Sequence, residues 1–370
     1  MKLLYIFPEE FTGRFAREYH VYRLAESLAA AGCNVTLAAA PSSKVTSADH
    51  LHDLFGGSRS ERLRMVWLKR QVSLGPLKIR SGVWFYRKLD RLISSLKPDC
   101  AYTMHVKAAD YIGKRHPSLP LVFEAHEIFA DTYPETSARY RSLLEMERQI
   151  YAHARGTVAI SGYLADCLRK RFALRIPLTV QHDGIDESML LDTSTLPEAR
   201  ELIYTGSLQS WKGVPVAVDA MRLLPEFHLT VLGGSGKSLE LLRQNAPDNV
   251  TFHGQVTREA LRPFLQKANI GLMPNLLEPR SALYTFPLKL LEYSAAGKGI
   301  VASHIPIFDK LKLNGWVNLF PSGSPEALAT AVRALTQRGI DRNAAQAWAG
   351  QFLWKIQGLT MKQFLESVLK

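Results

Sequence analysis

Short apolar runs alternate with amphipathic stretches along the first half of the chain. The apolar runs are rich in β-branched and aromatic residues, which is typical of strands buried on both faces. The stretches between them place apolar residues every three or four positions, which predicts helices. The predicted strands are residues 3–7, 35–39, 64–68, 100–103, 121–125 and 158–160, and the predicted helices are 17–31, 83–96, 106–114, 139–154 and 163–171. This alternation predicts a parallel, doubly wound α/β sheet.

The same alternation resumes after a polar, turn-rich segment at residues 186–198. It predicts further strands at 202–205, 229–232, 250–253, 270–273, 300–302 and 317–320, followed by helices at 325–336 and 343–369. A chain of 370 residues also exceeds what one hydrophobic core usually serves. We therefore expect two doubly wound, Rossmann-like domains, residues 1–185 and 186–344.

One strand-to-helix turn, TFPLKLLEYSAAGKGIVAS at residues 285–303, carries unusual charges. Pro287 favours a helix start because its φ is fixed, and Gly297 favours the end of that helix. Lys289 then lies in the first turn, where the helix dipole disfavours a cation unless an anion is near. A diphosphate is such an anion, and the Glu292 carboxylate can accept hydrogen bonds from two ribose hydroxyls. The alternative is that both side chains are ordinary solvated charges.

A similar turn follows the predicted strand 202–205. Gly206, Ser207, Lys212 and Gly213 come after that strand, and Pro215 predicts a helix start directly afterwards. Ligands of doubly wound sheets bind beyond the carboxyl ends of the strands. Lys212 is therefore a second candidate for binding a phosphate.

Five ordered segments resemble those of family 4 glycosyltransferases, the glycosyltransferase group 1 family. They are residues 180–186 (VQHDGID), 202–221 (LIYTGSLQSWKGVPVAVDAM), 229–236 (LTVLGGSG), 250–274 and 285–303. The resemblance covers most of the chain. It implies the GT-B fold, in which two Rossmann-like domains face each other across a cleft that holds a nucleotide sugar. It also implies that a terminal helix, about residues 345–370 here, packs back onto the first domain.

The resemblance implies that the second domain binds a nucleoside diphosphate sugar as a substrate. Lys212 is expected at the donor phosphates, where backbone N–H groups of the 285–288 turn also donate, except at Pro287, which has none. The residues expected at the donor are Gly13, Gly206, Ser207, Lys212, Gly234, Thr285, Phe286, Leu288, Lys289 and Glu292.

Two positions depart from the family pattern. Ser207 stands where relatives often have an arginine, and Lys289 is the cation that we expect to compensate for it. Tyr284 stands where the family commonly has the first of two glutamates, the one that usually contacts the transferred sugar. The second departure puts the donor sugar in question more than the nucleotide.

The segment FEAHE at residues 123–127 places a histidine and two acids at the end of a strand. His126 resembles the family's histidine that faces the donor sugar as an orienting hydrogen-bond partner. The implied reaction retains the anomeric configuration, and the leaving phosphate oxygen accepts the acceptor's proton. Glu127, with Asp131 nearby, is the alternative general base and would make the reaction inverting. The predicted catalytic residues are thus His126, Lys212 and Glu127.

The net charge of +12 lies mostly in the first half, and basic residues cluster between Arg59 and Lys97. Aromatic residues are interleaved with them, namely Trp67, Trp84, Phe85 and Tyr86. This mixture suits an anionic membrane surface. A groove for single-stranded nucleic acid and an ordinary solvated basic face are alternatives. We expect a membrane surface and a glycan or lipid-linked acceptor as partners, and no nucleic acid.

Cys33, Cys100 and Cys167 are scattered, so we expect reduced cysteines in the core and no disulfides. We expect no cofactor and no metal, because no His/Cys cluster has metal-ligand spacing. The first apolar run is too short for a signal peptide or a membrane span. The expected location is the cytoplasm, with peripheral association with the inner face of the membrane.

Two other functions fit the same pattern. A GT-B sugar-nucleotide epimerase would bind the same donor but need no acceptor. A noncatalytic GT-B subunit that binds a glycan or a partner would explain the departures at Ser207 and Tyr284. An epimerase would convert the sugar nucleotide in the absence of an acceptor. A noncatalytic subunit would bind the donor without turnover.

Overall fold

A computed structural model of the chain describes residues 1–13, 16–42, 44–45, 47–57, 59–74, 77–80, 82–193, 200–277, 284 and 286–370. The side chains of 71–74, 77–80 and 258–259 lie outside that description. The described residues form two units, Met1–Gly184 with Trp354–Lys370, and Ile185–Leu353. The predicted linker begins the second unit, and its residues 194–198 lie outside the described residues.

The first unit is built on a parallel sheet. Its strands are β1 (Lys2–Glu10), β2 (Asn34–Ala40), β3 (Leu63–Trp67), β6 (Cys100–Thr103), β7 (Leu121–Ala125), β8 (Gly156–Ala159) and β9 (Leu178–Val180). The order across the sheet is β3-β2-β1-β6-β7-β8-β9. The central strands are apolar without interruption because helices cover both faces of such a sheet. A separate antiparallel hairpin, β4 (Gln71–Leu74) and β5 (Leu77–Arg80), was not predicted.

In the part of the first unit that the structure describes, six helices connect these strands. They are α1 (Ala16–Ala30), α2 (Ala48–Phe55), α3 (Gly82–Leu96), α4 (Val106–Arg115), α5 (Ala138–His153) and α6 (Gly162–Phe172). Four of them begin at a residue whose side chain accepts a hydrogen bond from the first turn, namely Ser47, His105, Ser137 and Ser161. Helix α2 was not predicted, although Ser47 marks its start.

The cysteines are free, as expected, but not all are buried. Cys33 and Cys100 lie in the core. Cys167 is partly exposed, which corrects the expectation of a third core cysteine. The reason is its place on α6, at the edge of the buried face that Leu164 and Leu168 form.

The second unit repeats the architecture. Its strands are β10 (Glu201–Thr205), β11 (His228–Leu232), β12 (Val250–Gly254), β13 (Ile270–Met273), β14 (Gly299–Ser303) and β15 (Val317–Phe320), in the parallel order β12-β11-β10-β13-β14-β15. Its helices are α7 (Val214–Met221), α8 (Lys237–Gln244), α9 (Arg258–Lys267), α10 (Leu288–Ala295), α11 (Pro325–Arg338) and α12 (Arg342–Gly350).

The predicted single helix at 343–369 is two helices, α12 and α13 (Trp354–Leu369). Phe352 lies between them and packs on Phe286 and Trp348 in the second unit. Trp354 starts α13 in the first unit, where its indole N–H donates to the Tyr19 hydroxyl at 2.9 Å. The chain therefore changes units at residues 351–354, which breaks the helix.

Each sheet has one point at which the strand order reverses. In the first unit β1 lies between β2 and β6, and in the second unit β10 lies between β11 and β13. Ligands of doubly wound sheets bind beyond the carboxyl ends of strands at such points. Ligands are thus expected near the loops after β1 and β10, and the loop after β7 carries the predicted His126. Among the described residues, no helix is long and apolar enough to span a membrane.

Candidate functional site

The turn after β10 makes room for a lysine at the carboxyl end of the second sheet. Gly206 has a φ of 133°, which favours glycine. A Cβ at this position would lie 3.1 Å from Cε of Lys289 and 3.2 Å from its Nζ. Lys289 belongs to the first turn of α10, as the sequence predicts. The bare glycine therefore lets the ammonium group of Lys289 lie against the end of β10.

The charge of Lys289 is not satisfied within the described structure. Its Nζ atom is buried and has no hydrogen-bond partner among the described residues. It lies 3.9 Å from the centre of the Tyr204 ring. Burial and then the nearby Lys212 lower the pKa of Lys289 well below its usual value, against an opposing effect of Glu292. Because an unpaired buried ammonium is costly, this position favours an incoming anion.

Lys212 ends a short 3-10 helix, Ser210–Lys212, in the same turn. Its Nζ lies 3.7 Å from the centre of the neighbouring Trp211 ring, and burial lowers the pKa of Lys212 to about 8. Gly213 follows with a φ of 66°, and a Cβ there would overlap the carbonyl oxygen of Pro274. Glycine is thus required at 213, and it allows the loop that carries Lys212 to pack against the end of β13.

The helix α10 is tied to β10 by a buried tyrosine. The Tyr293 hydroxyl accepts a hydrogen bond from the backbone N–H of Thr205 at 2.9 Å and lies 3.1 Å from the Thr205 hydroxyl. The preceding residue, Glu292, is only 7% exposed. These contacts fix the positions of Lys289 and Glu292 relative to the turn after β10.

The loop after β11 lies next to the turn after β10, because a Cβ at Gly233 would overlap the carbonyl oxygen of Gly206. Gly234, predicted at the donor, follows with a φ of 75°. Ser207 is exposed, and its carbonyl oxygen accepts a hydrogen bond from the Tyr204 hydroxyl at 2.7 Å.

The predicted donor residues around the start of α10 differ in surroundings. Leu288 is the first residue of α10, and Phe286 is buried with its ring 5.9 Å from that of Phe352. Thr285 lies outside the described residues. Their roles as backbone donors to a phosphate stay predictions.

In the first unit, four polar side chains form a connected chain that ends at His126. We call His20, Glu124, His126 and Asp183 the histidine–carboxylate network. Oε1 of the fully buried Glu124 lies 2.6 Å from Nε2 of His20 and 3.1 Å from Nε2 of His126. Nδ1 of His20 lies 2.6 Å from Oδ1 of Asp183. His126 therefore contacts a carboxylate that a second histidine also holds.

The charges in this network stabilise one another. Burial by itself lowers the pKa of His20, but Glu124 and Asp183 outweigh burial and raise it to about 10. Burial by itself raises the pKa of Glu124, but His20 and His126 outweigh it and hold that pKa well below its usual range. At neutral pH, Glu124 is thus a carboxylate and His20 an imidazolium.

The loop after β1, predicted to contact the donor through Gly13, is held by Glu18. This buried carboxylate accepts hydrogen bonds from the backbone N–H groups of Thr12 and Gly13, both at 2.7 Å, and from the Thr12 hydroxyl at 2.8 Å. The N–H of Gly13 is therefore engaged within the protein. A donor contact at Gly13 stays a prediction.

The alternative bases Glu127 and Asp131 follow His126 in the chain, close to a third carboxylate, Glu147. Asp131 forms an ion pair with Arg171 at 3.1 Å, so its carboxylate is engaged within the protein. Glu147 accepts hydrogen bonds from two backbone N–H groups of the 3-10 helix Phe129–Thr132, and burial raises the pKa of Glu147 to about 7 against their opposing effect. Glu127 as the base of an inverting reaction stays a prediction.

The sequence predicts no metal-binding cluster, but the described residues include one group with suitable spacing. The ligand atoms of His20, Glu124 and His126 lie within 4.8 Å of one another. Zn²⁺ binds such atoms at roughly 2.0–2.2 Å, which places them about 3.3 Å apart around a tetrahedral ion. The 2.6 Å between His20 and Glu124 is shorter and fits an ion pair instead. The geometry thus favours a hydrogen-bonded network over a metal centre.

Four residues of these sites escape the sequence analysis: His20, Asp183, Tyr204 and Trp211. Asp183 and Trp211 carry a usable signal, because Asp183 follows β9 and Trp211 directly precedes Lys212. Tyr204 has the pattern of an ordinary core residue in a strand. His20 lies on a long helix, and nothing local indicates that its partners are Glu124 and Asp183.

Two family models match this chain, one in each half. The model described as Glycosyltransferase Family 4 matches residues 18–188, and the model described as Glycosyl transferases group 1 matches residues 199–338. The amylovoran biosynthesis glycosyltransferase AmsK of Erwinia amylovora is 28% identical over 157 residues. That match covers 40% of this chain and 38% of the relative.

Solved structures share the fold at low sequence identity. Sucrose-phosphate synthase from Thermosynechococcus elongatus has a TM-score of 0.75 at 18% identity and matches 100% of this chain and 99% of its own. Anabaena Alr3699/HepE in complex with UDP has a TM-score of 0.75 at 16% identity, with 99% and 100% covered. WaaG, a glycosyltransferase involved in lipopolysaccharide biosynthesis, has a TM-score of 0.64 at 16% identity, with 98% of each chain covered. These likenesses confirm the predicted α/β fold class with two Rossmann-like sheets.

Proposed function

Because the chain belongs to the family 4 and group 1 glycosyltransferases, we propose that it transfers a sugar from a nucleoside diphosphate sugar to a glycan, lipid-linked or small-molecule acceptor. The transfer retains the anomeric configuration and uses no metal. The observation that carries the proposal is the buried Nζ of Lys289, which has no hydrogen-bond partner among the described residues. It lies beyond the carboxyl end of β10, where this fold binds ligands.

The second unit binds the donor through its diphosphate. Lys212 and Lys289 both have a lowered pKa, so each charge is poorly stabilised before an anion arrives. A diphosphate supplies several acceptor oxygens and makes both ammonium groups favourable again. The same two cations stabilise the charge that develops on the departing nucleoside diphosphate. Glu292 accepts hydrogen bonds from the ribose hydroxyls.

The names of two relatives support the substrate classes. HepE has been solved with UDP and with UDP-glucose, which supports a UDP-sugar as donor. AmsK is described as an amylovoran biosynthesis enzyme, which supports polysaccharide synthesis and a glycan acceptor. The nucleotide, the sugar and the acceptor of this chain are expected to come from these classes.

His126 orients the transferred sugar by a hydrogen bond, and the leaving phosphate oxygen accepts the acceptor's proton. A reaction of this kind needs an orienting contact more than it needs a protein base. The engaged state of Asp131, which is paired with Arg171, supports this assignment over an acidic base at that position.

The basic stretch from Arg59 to Lys97 binds the anionic surface of a membrane that carries the acceptor. On α3, Arg87 and Arg91 are exposed, and Val83 is 56% exposed next to the partly exposed Trp84. Cations with an exposed apolar neighbour are the combination that binds anionic lipid surfaces. Phe85 is buried in the core and does not take part, unlike the sequence expectation for the interleaved aromatic residues.

The experiment begins with binding of UDP, GDP and ADP to the full chain, followed by turnover of the matching sugar nucleotides with and without acceptors. His126→Ala should slow turnover strongly while nucleotide affinity changes little, and NMR should show a product with the donor's anomeric configuration. An inverted product, together with activity lost in Glu127→Gln, would replace this mechanism by one with a carboxylate base. A new sugar nucleotide formed from the donor alone would indicate an epimerase instead.

A further inference from the structure

The protonation of the histidine–carboxylate network follows from which of its atoms accept hydrogen bonds. An ionised carboxylate only accepts. Nε2 of His126 donates to Oε1 of Glu124 at 3.1 Å and therefore carries a proton. Nε2 of His20 lies 2.6 Å from the same oxygen in an ion pair that lacks hydrogen-bond geometry, and a bare lone pair at that distance would repel the carboxylate. The other nitrogen of His20 lies 2.6 Å from a second carboxylate, Asp183, and must carry a proton too. His20 is therefore the doubly protonated member.

His126 is left with the opposite arrangement on its second nitrogen. With a proton on Nε2, a neutral imidazole has its lone pair on Nδ1. Among the described residues, Nδ1 of His126 has no hydrogen-bond partner. The His126 side chain is also 22% exposed, whereas that of His20 is 2% exposed. A neutral His126 that is protonated at Nε2 thus presents an acceptor, Nδ1, on its exposed side.

We propose that His20 is a positioning residue for the transfer reaction: with Asp183 it holds Glu124 so that His126 offers Nδ1 as the acceptor for a hydroxyl group of the transferred sugar. This rests on the proposed function, in which His126 orients that sugar. Tyr5 supports the same geometry, since its hydroxyl is 3.4 Å from the other oxygen of Glu124. The groups that face His20 are Glu124, Asp183, His126 and the ring of Trp354.

A purely structural role predicts different behaviour. If the network only held α1 to the sheet, neutral hydrogen-bonding residues would replace it without an effect on the reaction, because the apolar face of α1 is already buried in the core of the first unit. A positioning role instead requires the carboxylate of Glu124, which accepts hydrogen bonds on both oxygens and pairs with the His20 cation, whereas a glutamine amide is neutral and donates on one side. The tautomer of His126 is therefore the property to measure.

The first measurement does not depend on activity. The full chain is labelled with ¹⁵N-histidine, and NMR correlations between ring protons and ring nitrogens report which nitrogens are protonated from pH 6 to 8.5. His20→Gln and His126→Gln assign the two signals. His126 should show a protonated Nε2 and a bare Nδ1, and His20 should keep both protons throughout. A His126 that is protonated at Nδ1, or a His20 that is neutral at pH 7, overturns the proposal.

The second measurement uses turnover. Glu124→Gln and His20→Gln should lower kcat by roughly 10- to 100-fold, the scale of a misplaced orienting group, while the donor KM and UDP affinity change less than about threefold. Asp183→Asn, at a partly exposed position, is the variant to use where Glu124→Gln does not fold. His116→Gln is the matched control, because His116 forms a similar pair with Asp90 at 2.7 Å outside the network. It should keep the wild-type kcat.

The outcomes separate the two proposals. Full kcat in Glu124→Gln and Asp183→Asn, with an active wild-type enzyme, rejects the positioning role and leaves the glycosyltransferase function intact. An inactive wild-type chain with every donor rejects the proposed function, and the NMR result then still decides the tautomer. Stoichiometric binding of added Zn²⁺ that shifts both histidine signals would identify a metal site and overturn the inference.

Discussion

The ammonium nitrogen of Lys289 lies 3.9 Å from the centre of the Tyr204 ring and has no hydrogen-bond partner among the described residues. An aromatic face stabilises a cation by about 0.5–2 kcal/mol, which is less than hydrogen bonds to a charged phosphate provide. Tyr204 therefore holds the lysine in place without satisfying its charge. Lys212 repeats this arrangement on Trp211. Both cations are thus positioned before a ligand binds.

Removing either the cation or the carboxylate of this site should weaken nucleotide binding. Lys212→Ala and Glu292→Ala should each raise the Kd of the preferred nucleoside diphosphate at least about tenfold, equivalent to about 1.4 kcal/mol, while circular dichroism shows an intact fold. Lys237→Ala, an exposed lysine at the start of α8, is the control and should bind as wild type. Unchanged dissociation constants in both test variants would show that the nucleotide does not bind at this site.

Nucleotide affinity should fall as the pH rises above about 8, the pKa of Lys212 in the free protein. The bound diphosphate favours the charged lysine, so the bound state keeps its proton to a higher pH than the free state. Below about pH 8, Lys212 of the free protein is already protonated, so nucleotide binding takes up no proton there. Above that pH, Lys212 must take up a proton when the nucleotide binds. Calorimetry between pH 7 and 9.5 in two buffers of different ionisation enthalpy measures both effects. An affinity that is flat across this range would contradict the assignment.

Turnover should persist in a chelator. The proposed charge stabilisation comes from two lysines, and the short distance between His20 and Glu124 fits an ion pair better than a metal site. Activity in EDTA should therefore stay within about twofold of the untreated enzyme. Complete loss in EDTA with recovery on adding Mg²⁺, Mn²⁺ or Zn²⁺ would show that a metal is required.

The basic stretch should bind anionic lipid. Flotation with anionic vesicles should recover the protein at low salt, less of it as salt rises, and little of it with neutral vesicles. Reversing the charge of Arg87 and Arg91 on α3 should weaken binding at least about tenfold, since each cation near such a surface contributes about 1 kcal/mol. Arg148 and Arg169 are exposed residues of the same unit that make a matched control pair. Equal recovery with both vesicle types would show that this stretch is an ordinary solvated surface.

Two glycines with a positive φ should respond differently to alanine. Gly213 and Gly323 have φ values of 66° and 84°, but a Cβ at 213 overlaps the carbonyl of Pro274, whereas a Cβ at 323 meets nothing within 4 Å. Gly323→Ala should cost about 1–2 kcal/mol of folding free energy, which is the cost of the positive φ alone. Gly213→Ala should cost clearly more and also weaken nucleotide binding through Lys212. Equal melting temperatures for the two variants would contradict this.

The sequence predicts most strands and helices because their apolar periodicity is strong, and strands such as β6, β7 and β13 have the predicted bounds. Lys212 and Lys289 could be singled out because a cation at a helix start is locally unfavourable. Tyr204 could not, since in a strand it resembles an ordinary core residue, whereas the position of Trp211 directly before Lys212 is a signal that the sequence does contain. The hairpin β4–β5 alternates polar and apolar residues around Gly75 and Pro76, but each strand has only four residues, so its signal is short. The break before Trp354 reflects a change of unit that no local pattern records.

The histidine–carboxylate network could not be predicted for a different reason. Its contacts join residues far apart in the chain, and His20 and Asp183 are separated by 163 positions. Only the sheet order, with β7 close to β9 and α1 packed nearby, brings them together. Local propensity gives no information on such pairings.

The first unit is built from two separate parts of the chain, residues 1–184 and 354–370. This arrangement determines when during synthesis the unit can complete its fold. Its core includes Met361 and Leu365 of α13. Domains generally begin to fold while the ribosome is still adding residues. Here the strands of the first sheet are synthesised long before α13, so the surface of α1 that α13 covers must remain exposed until residues 354–369 have been made. A nonsense mutation near residue 354 would thus damage the first unit, although all strands of its sheet would be present.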